Sequence, residues 1–427
     1  MTELYPGCWA GKASSGLELF VEPMAHLRSV ALGLWVRAGG RNDPPGREGL
    51  AHLVEHMTFK GTERRTALEI AQAIDALGGH LNAATTNEYT SYFTTVLDHG
   101  LPAALEILQE LVTSPRFSPD DLCREQVVVG EEIRTLDDDP EEVAFQLLAE
   151  ELWPAGHPLG RPVIGRLDSV ARIQPDDLWG FFHDWYRPGR MTLVACGKVD
   201  PEPLLLQAEE FGAGGKDDQT RPRFPPRPGN GVAVAEREIQ QVHVALGFPT
   251  VPAASPDRHG LEVLNALLGS GVSSRLFQRI REELGLVYAV FSVTAYHTDA
   301  GSLAVYVATE ERKLPQVLDL MWAEIQELVR TPPDEADLAR AVQRLTSAFL
   351  LGLDNPNGRM VRLGTAAALG RTPLPPDEVV RRLSAVTPDE VQELARRFLA
   401  PEKAAWAAVG PSAERLRRLM RPHVAVT

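Results

Sequence analysis

The 427-residue chain has only three cysteines, Cys8, Cys123 and Cys196, and none lies in a Cys-x-x-Cys pair. So sparse and odd a set is neither a disulfide framework nor a thiolate zinc site, and it fits a reducing compartment. No apolar run is long enough to span a bilayer. The N-terminal stretch MTELYPGCWAGKASSGLELF lacks both the basic start and apolar run of a signal peptide and the arginines of a transit peptide. A cytoplasmic protein is expected, with no membrane partner. Positive charge is also short: 43 Lys and Arg stand against 58 Asp and Glu, a net charge of −15. That disfavours nucleic acid and anionic lipid, both of which need a basic surface. The plain reading of the charge is solubility; the sharper one is an acidic chamber that attracts basic peptides.

What is present is ordinary for a globular protein: 44% apolar and 24% charged residues. The length calls for more than one core. The clearest break is GAGGKDDQTRPRFPPRPGNG, residues 212–231, too rich in Gly, Pro and charge to bury a core face. It reads as a linker between a domain over 1–211 and another over 232–427. The two halves share a pattern. Val30-Ala31-Leu32-Gly33 returns as Val244-Ala245-Leu246-Gly247, an offset of 214, and Asp43, Gly46, Leu50 and Leu53 meet Asp257, Gly260, Leu264 and Leu267 at the same offset. Each half also ends in a strand-like run closing on glycine, Leu193 to Gly197 and Ala405 to Gly410. This is a duplicated domain rather than a short repeat. Leu27 to Arg37 reads as a strand, Gly46 to Lys60 and Thr66 to Leu77 as helices, His80 to Leu97 as strand-like, and Leu101 to Val112 as a helix. The expected class is α+β: two duplicated α/β-roll domains, each a mixed, mainly antiparallel sheet with helices packed on one face.

One segment carries chemistry. In Gly49-Leu50-Ala51-His52-Leu53-Val54-Glu55-His56-Met57 two histidines stand four apart, one above the other on a helix face. Two imidazoles so placed can grip one ion, with Glu55 at the same edge. The order His-x-x-Glu-His reverses the commoner zinc-protease motif. Two neutral imidazoles and a carboxylate suit zinc, and a catalytic zinc keeps one position for water; manganese or cobalt could use the same ligands. The third ligand must come from elsewhere. Glu125 and Glu132 lie seven apart, on a helix face shared with Leu122, Val129 and Leu136 that should point inward. An inward carboxylate needs a partner, either a metal or a histidine bound to one. Glu131 competes as a ligand but sits off that face.

The spacing resembles the pitrilysin family, which includes insulin-degrading enzyme and the mitochondrial processing peptidase: His52-x-x-Glu55-His56, then Glu132 at 76 residues beyond His56, with Glu125 seven before it. The resemblance implies a zinc-dependent endopeptidase with one zinc per chain, held by His52, His56 and Glu132. It implies Glu55 as general base and Glu125 as the partner of a ligand histidine. Gly78-Gly79-His80-Leu81-Asn82-Ala83, followed by Thr86, Glu88, Thr90 and Tyr92, is similar to the family's strand beside the metal, where substrate backbone adds at Asn82 and Ala83. Ser273 to Tyr288 resembles the family's other signature, in which Arg281 and Tyr288 hold the substrate and stabilise the oxyanion. Taken alone, Arg281 would be a surface helix residue and Tyr288 a core aromatic. At the 214 offset His52, Glu55 and His56 fall on Ala266, Gly269 and Ser270, so the second half has no metal site.

The chain is about half the length of the single-chain members. A four-domain chamber would therefore need two chains, implying a homodimer or a heterodimer with a metal-free homologue. Gly269-Ser270-Gly271 is only a stub of the long glycine-rich loop of the mitochondrial alpha subunit, which puts presequence processing in doubt. Peptides and unfolded segments are the expected substrates. A non-catalytic or partner-dependent subunit is the competing reading, and the intact His52, Glu55, His56 and Glu132 stand against the first form of it.

Overall fold

The computed structural model describes residues 1–154, 156–211 and 225–424. The expected linker over 212–231 lies largely outside them; of its described part, 225–230 has no regular structure. The chain forms two compact units, Met1–Arg134 with Pro162–Pro222 and Leu350–Pro375, and Thr135–Arg161 with Arg223–Phe349 and Pro376–Thr427. Among the described residues no helix is long and apolar enough to cross a membrane.

In the first unit seven strands form one sheet: β1 (Thr2–Tyr5), β2 (Cys8–Lys12), β3 (Glu18–Pro23), β4 (Ser29–Val36), β5 (Asn82–Thr85), β6 (Thr90–Leu97) and β7 (Met191–Gly197), in the order β1-β2-β3-β7-β4-β6-β5. Only the β3–β7 pair is parallel. In the second unit β8 (Val232–Glu236), β9 (Gln241–Thr250), β10 (Val287–Tyr296), β11 (Gly301–Glu310) and β12 (Ala405–Gly410) run β10-β11-β9-β12-β8, with only β12–β8 parallel. The order β5-β6-β4-β7-β3 of the first sheet is thus repeated strand for strand in the second. The mixed, mainly antiparallel sheets and the duplication match the expected α+β class.

Period-two alternation explains how each sheet is covered. On β4, Val30, Leu32, Leu34 and Val36 join a core with Leu50, Leu53, Val54 and Met57 of the helix Leu50–Thr58. The alternate residues Ala31 and Trp35 face the other way and pack with Met360 and Leu363 of the helix Pro356–Ala368. A central strand buried on both faces needs cover on both, so each sheet carries a helix on its second face as well, where the sequence alone leads us to expect helices on one face only. In the second unit that helix is Pro140–Leu152, whose Leu148 packs with Ala245 and Ala407. Each unit therefore takes one helix from a stretch of sequence far from its strands. Close approach is made by glycine. A Cβ on Gly364 would lie 2.3 Å from the Trp35 ring, and one on Gly247 would lie 3.0 Å from Leu148.

A buried charge cluster fixes the helix Pro356–Ala368 in the first unit. Arg362 donates to Glu22 Oε1 at 2.6 Å, Arg359 donates to Glu22 Oε2 at 3.1 Å, and the Tyr5 hydroxyl donates to Oε1 at 2.5 Å.

Candidate metal centre

The helix Leu50–Thr58 begins in an unusual way. Its N-cap is Gly49, at φ +94°. A Cβ there would stand 2.5 Å from the Ile164 carbonyl oxygen, so only glycine serves. With no capping side chain at Gly49, Asp43 supplies one from six residues upstream, accepting from the backbone N–H of Gly49 and of Ala51, both at 2.8 Å. Those first-turn donors would otherwise be orphaned. Leu50, Leu53, Val54 and Met57 then anchor the helix in the core and leave His52 and His56 on its other face.

The two imidazoles lie with ring centroids 4.6 Å apart. A second helix, Pro119–Asp137, brings Glu132 to them: one ligand atom each from His52, His56 and Glu132 lie within 4.8 Å of one another. Glu132 Oε2 is 3.6 Å from His56 Nε2. Glu131 is turned away and accepts from Arg134 at 2.6 Å. The shared face of this helix is not inward over its whole length. Leu122, Glu125 and Val129 are buried, but Leu136, on the last turn of the helix, is exposed. Glu132 itself is half-buried, which leaves its carboxylate able to reach both an ion and solvent.

Glu125 is 4% exposed and uses both oxygens. Oε2 is 3.1 Å from His56 Nδ1, and Oε1 accepts from Lys60 at 2.7 Å. A carboxylate at Nδ1 fixes the ring with Nε2 toward the centre. Burial, helped by the neighbouring charge of His56, pulls His52 down to about 4, so its imidazole is neutral at neutral pH and ready to ligate without releasing a proton. His52 Nδ1 is buried without a hydrogen-bond partner. Two imidazoles, one carboxylate and such an unsatisfied ring nitrogen fit a tetrahedral N/O ion with an open position.

Glu55 is 9% exposed beside the cluster. Burial pushes its carboxyl above the usual glutamate range, opposed mainly by a hydrogen bond from Thr85, whose hydroxyl donates to Oε2 at 2.5 Å. Thr85 closes β5, the edge strand that also carries Asn82, exposed, and Ala83, half-buried. An edge strand presents unpaired backbone groups to any added strand.

In the second unit Arg281 and Tyr288 come together. The Arg281 guanidinium lies 5.7 Å from the Tyr288 ring centroid and 4.8 Å from that of Phe277. Tyr288 is not a core aromatic: it is 76% exposed near the start of the edge strand β10. The second unit's counterpart of the histidine helix, Arg258–Leu268, stops before Gly269 and Ser270, so the counterparts of Glu55 and His56 are not even helical.

Asp43, Lys60 and Thr85 escaped the sequence reading. Only Asp43 had a legible signal, as an acid ahead of a helix start. Lys60 and Thr85 acquire their roles from partners 65 and 30 residues away.

Residues 21–166 match the family model described as Insulinase (Peptidase family M16), and residues 172–345 match the one described as Peptidase M16 inactive domain. The chain is 33% identical over 405 residues to an uncharacterized zinc protease of Streptomyces coelicolor, covering 93% of this chain and 88% of that one. It is 36% identical over 406 residues to an uncharacterized zinc protease of Mycobacterium tuberculosis, covering 93% and 91%. A crystal structure of a peptidase M16 inactive domain from Pseudomonas fluorescens superposes with a TM-score of 0.88 at 20% identity, over 95% of this chain and 98% of that one, a likeness of fold.

Proposed function

The chain belongs to the insulinase family of peptidases, M16, and from that premise we propose that it is a zinc-dependent endopeptidase acting on peptides or unfolded segments. The observation that supports this most is the convergence of His52, His56 and Glu132 ligand atoms within 4.8 Å, with the buried Glu55 carboxylate alongside. His52, His56 and Glu132 would hold one zinc, and Glu125 would orient His56. Bound there, zinc supplies polarisation of the scissile carbonyl and acidification of water. Glu55 takes the proton from the attacking water and returns it to the leaving amine. The peptide pairs its backbone with β5 at Asn82 and Ala83, which reads main chain and tolerates varied side chains. Arg281 and Tyr288 are assigned to holding substrate and stabilising the oxyanion, because a cation and a phenol both donate to developing negative charge.

The test combines three measurements on the purified protein: its size alone, cleavage of internally quenched peptides, and the effect of a chelator. Chelator-sensitive cleavage is expected, from a homodimer or a heterodimer with a metal-free homologue. Glu55→Gln should keep zinc and lose about 10²–10⁴-fold in rate, the usual worth of a general base. Retained turnover in that variant would remove Glu55 from its role. Zinc binding without cleavage until a metal-free homologue is added would instead identify a partner-dependent subunit.

A further inference from the structure

We propose that Thr85 is the positioning residue of the general base, tying Glu55 to the strand that receives the peptide; this rests on the peptidase reading above. A buried glutamate on a helix has three side-chain rotors, and general-base work needs one orientation of its carboxylate. The Thr85 hydroxyl donates to Glu55 Oε2 at 2.5 Å. Its competing acceptor, Thr90 Oγ1, is farther away at 3.3 Å, and a hydrogen bond to a carboxylate is the stronger of the two.

Thr85 is itself fixed. It pairs with Thr90 across β5 and β6, and the Thr90 hydroxyl donates to the Ala38 carbonyl at 2.9 Å. Thr90 is fully buried, so this anchor is shielded from solvent. One oxygen of Glu55 is thereby committed to β5. The same strand carries Asn82 and Ala83 at the sheet edge. Peptide added to that edge and the carboxylate that serves it are thus referenced to a single four-residue strand.

Two effects of losing the hydroxyl oppose each other. Glu55 becomes more basic, which raises a general-base rate by about a few-fold at most. It also loses its orientation, and misplacement on the order of 1 Å costs about 10²-fold. Orientation dominates. The test uses zinc-loaded protein and one internally quenched peptide selected for cleavage by the unaltered chain. Thr85→Val, nearly isosteric, should lower kcat by about 10- to 100-fold while KM and zinc content stay unchanged. Thr85→Ser, which keeps the donor, should recover kcat to within about threefold. A packing role predicts otherwise: Val tolerated and Ser harmful, or both harmful together with a lowered melting temperature. Either pattern overturns the inference alone. An unaltered chain with no chelator-sensitive cleavage overturns the peptidase reading and this inference with it.

Discussion

At the scale of single residues, the candidate centre includes groups outside the His52, His56 and Glu132 cluster. Glu125 spends one oxygen on His56 Nδ1 and the other on Lys60, so both oxygens of its buried carboxylate have a partner. Outer partners of this kind are worth about 10–100-fold in metal affinity. Glu125→Gln, which cannot offer a charged acceptor to Nδ1, should weaken zinc binding by about that factor, read by competition with a chromophoric chelator. Unchanged affinity would mean that His56 needs no carboxylate to orient it. Tyr288 makes a different point. An aromatic in a strand of alternating burial would by default face the core, yet it is 76% exposed beside a guanidinium. Burial does not account for a tyrosine in that position.

At the scale of elements, the helix Pro356–Ala368 shows how a distant segment is fixed to a sheet. Its arginines neutralise Glu22, and Gly364 lets its backbone lie against the Trp35 ring. Gly364→Ala would ordinarily favour a helix by up to about 1 kcal/mol. Here the added methyl meets a fully buried indole at 2.3 Å, and overpacking of this kind costs about 1–3 kcal/mol. The variant should therefore be less stable in denaturant titrations; a stabilised protein would mean that Trp35 can move aside. Glu22→Leu should cost more, about 3–5 kcal/mol, because it strands the partly buried Arg359 and Arg362 without their common, buried acid. The same unfolding measurement distinguishes the two.

At the scale of the whole molecule, the duplication leaves the candidate metal cluster in one unit only. Both units repeat one strand order, but the cluster of His52, His56 and Glu132 belongs to the first, and among the described residues it is the single group of three or more His, Cys, Asp or Glu that could hold a metal. Zinc at about 100 times its Kd should stabilise the unit that binds it by about 2.7 kcal/mol. Hydrogen exchange should register that gain in the first sheet and leave the intrinsic protection of the second sheet unchanged. Equal protection gained in both would mean that metal binding is coupled across the chain.

The sequence by itself determined that two histidines share one helix face, the duplication, and the strands at the centre of each sheet. These are local or repeated patterns: a spacing of four puts His52 and His56 on one face, and alternation over Val30 to Val36 specifies a strand. Only the tertiary structure decided which carboxylate oxygen meets which donor, that Leu136 leaves the buried face while Glu125 stays on it, and that Thr85 and Lys60 serve Glu55 and Glu125. It also decided that each sheet borrows its second cover from a far segment. The reason is that such contacts join residues tens to hundreds of positions apart, and no local period records which apolar face will cover a strand that is buried on both sides.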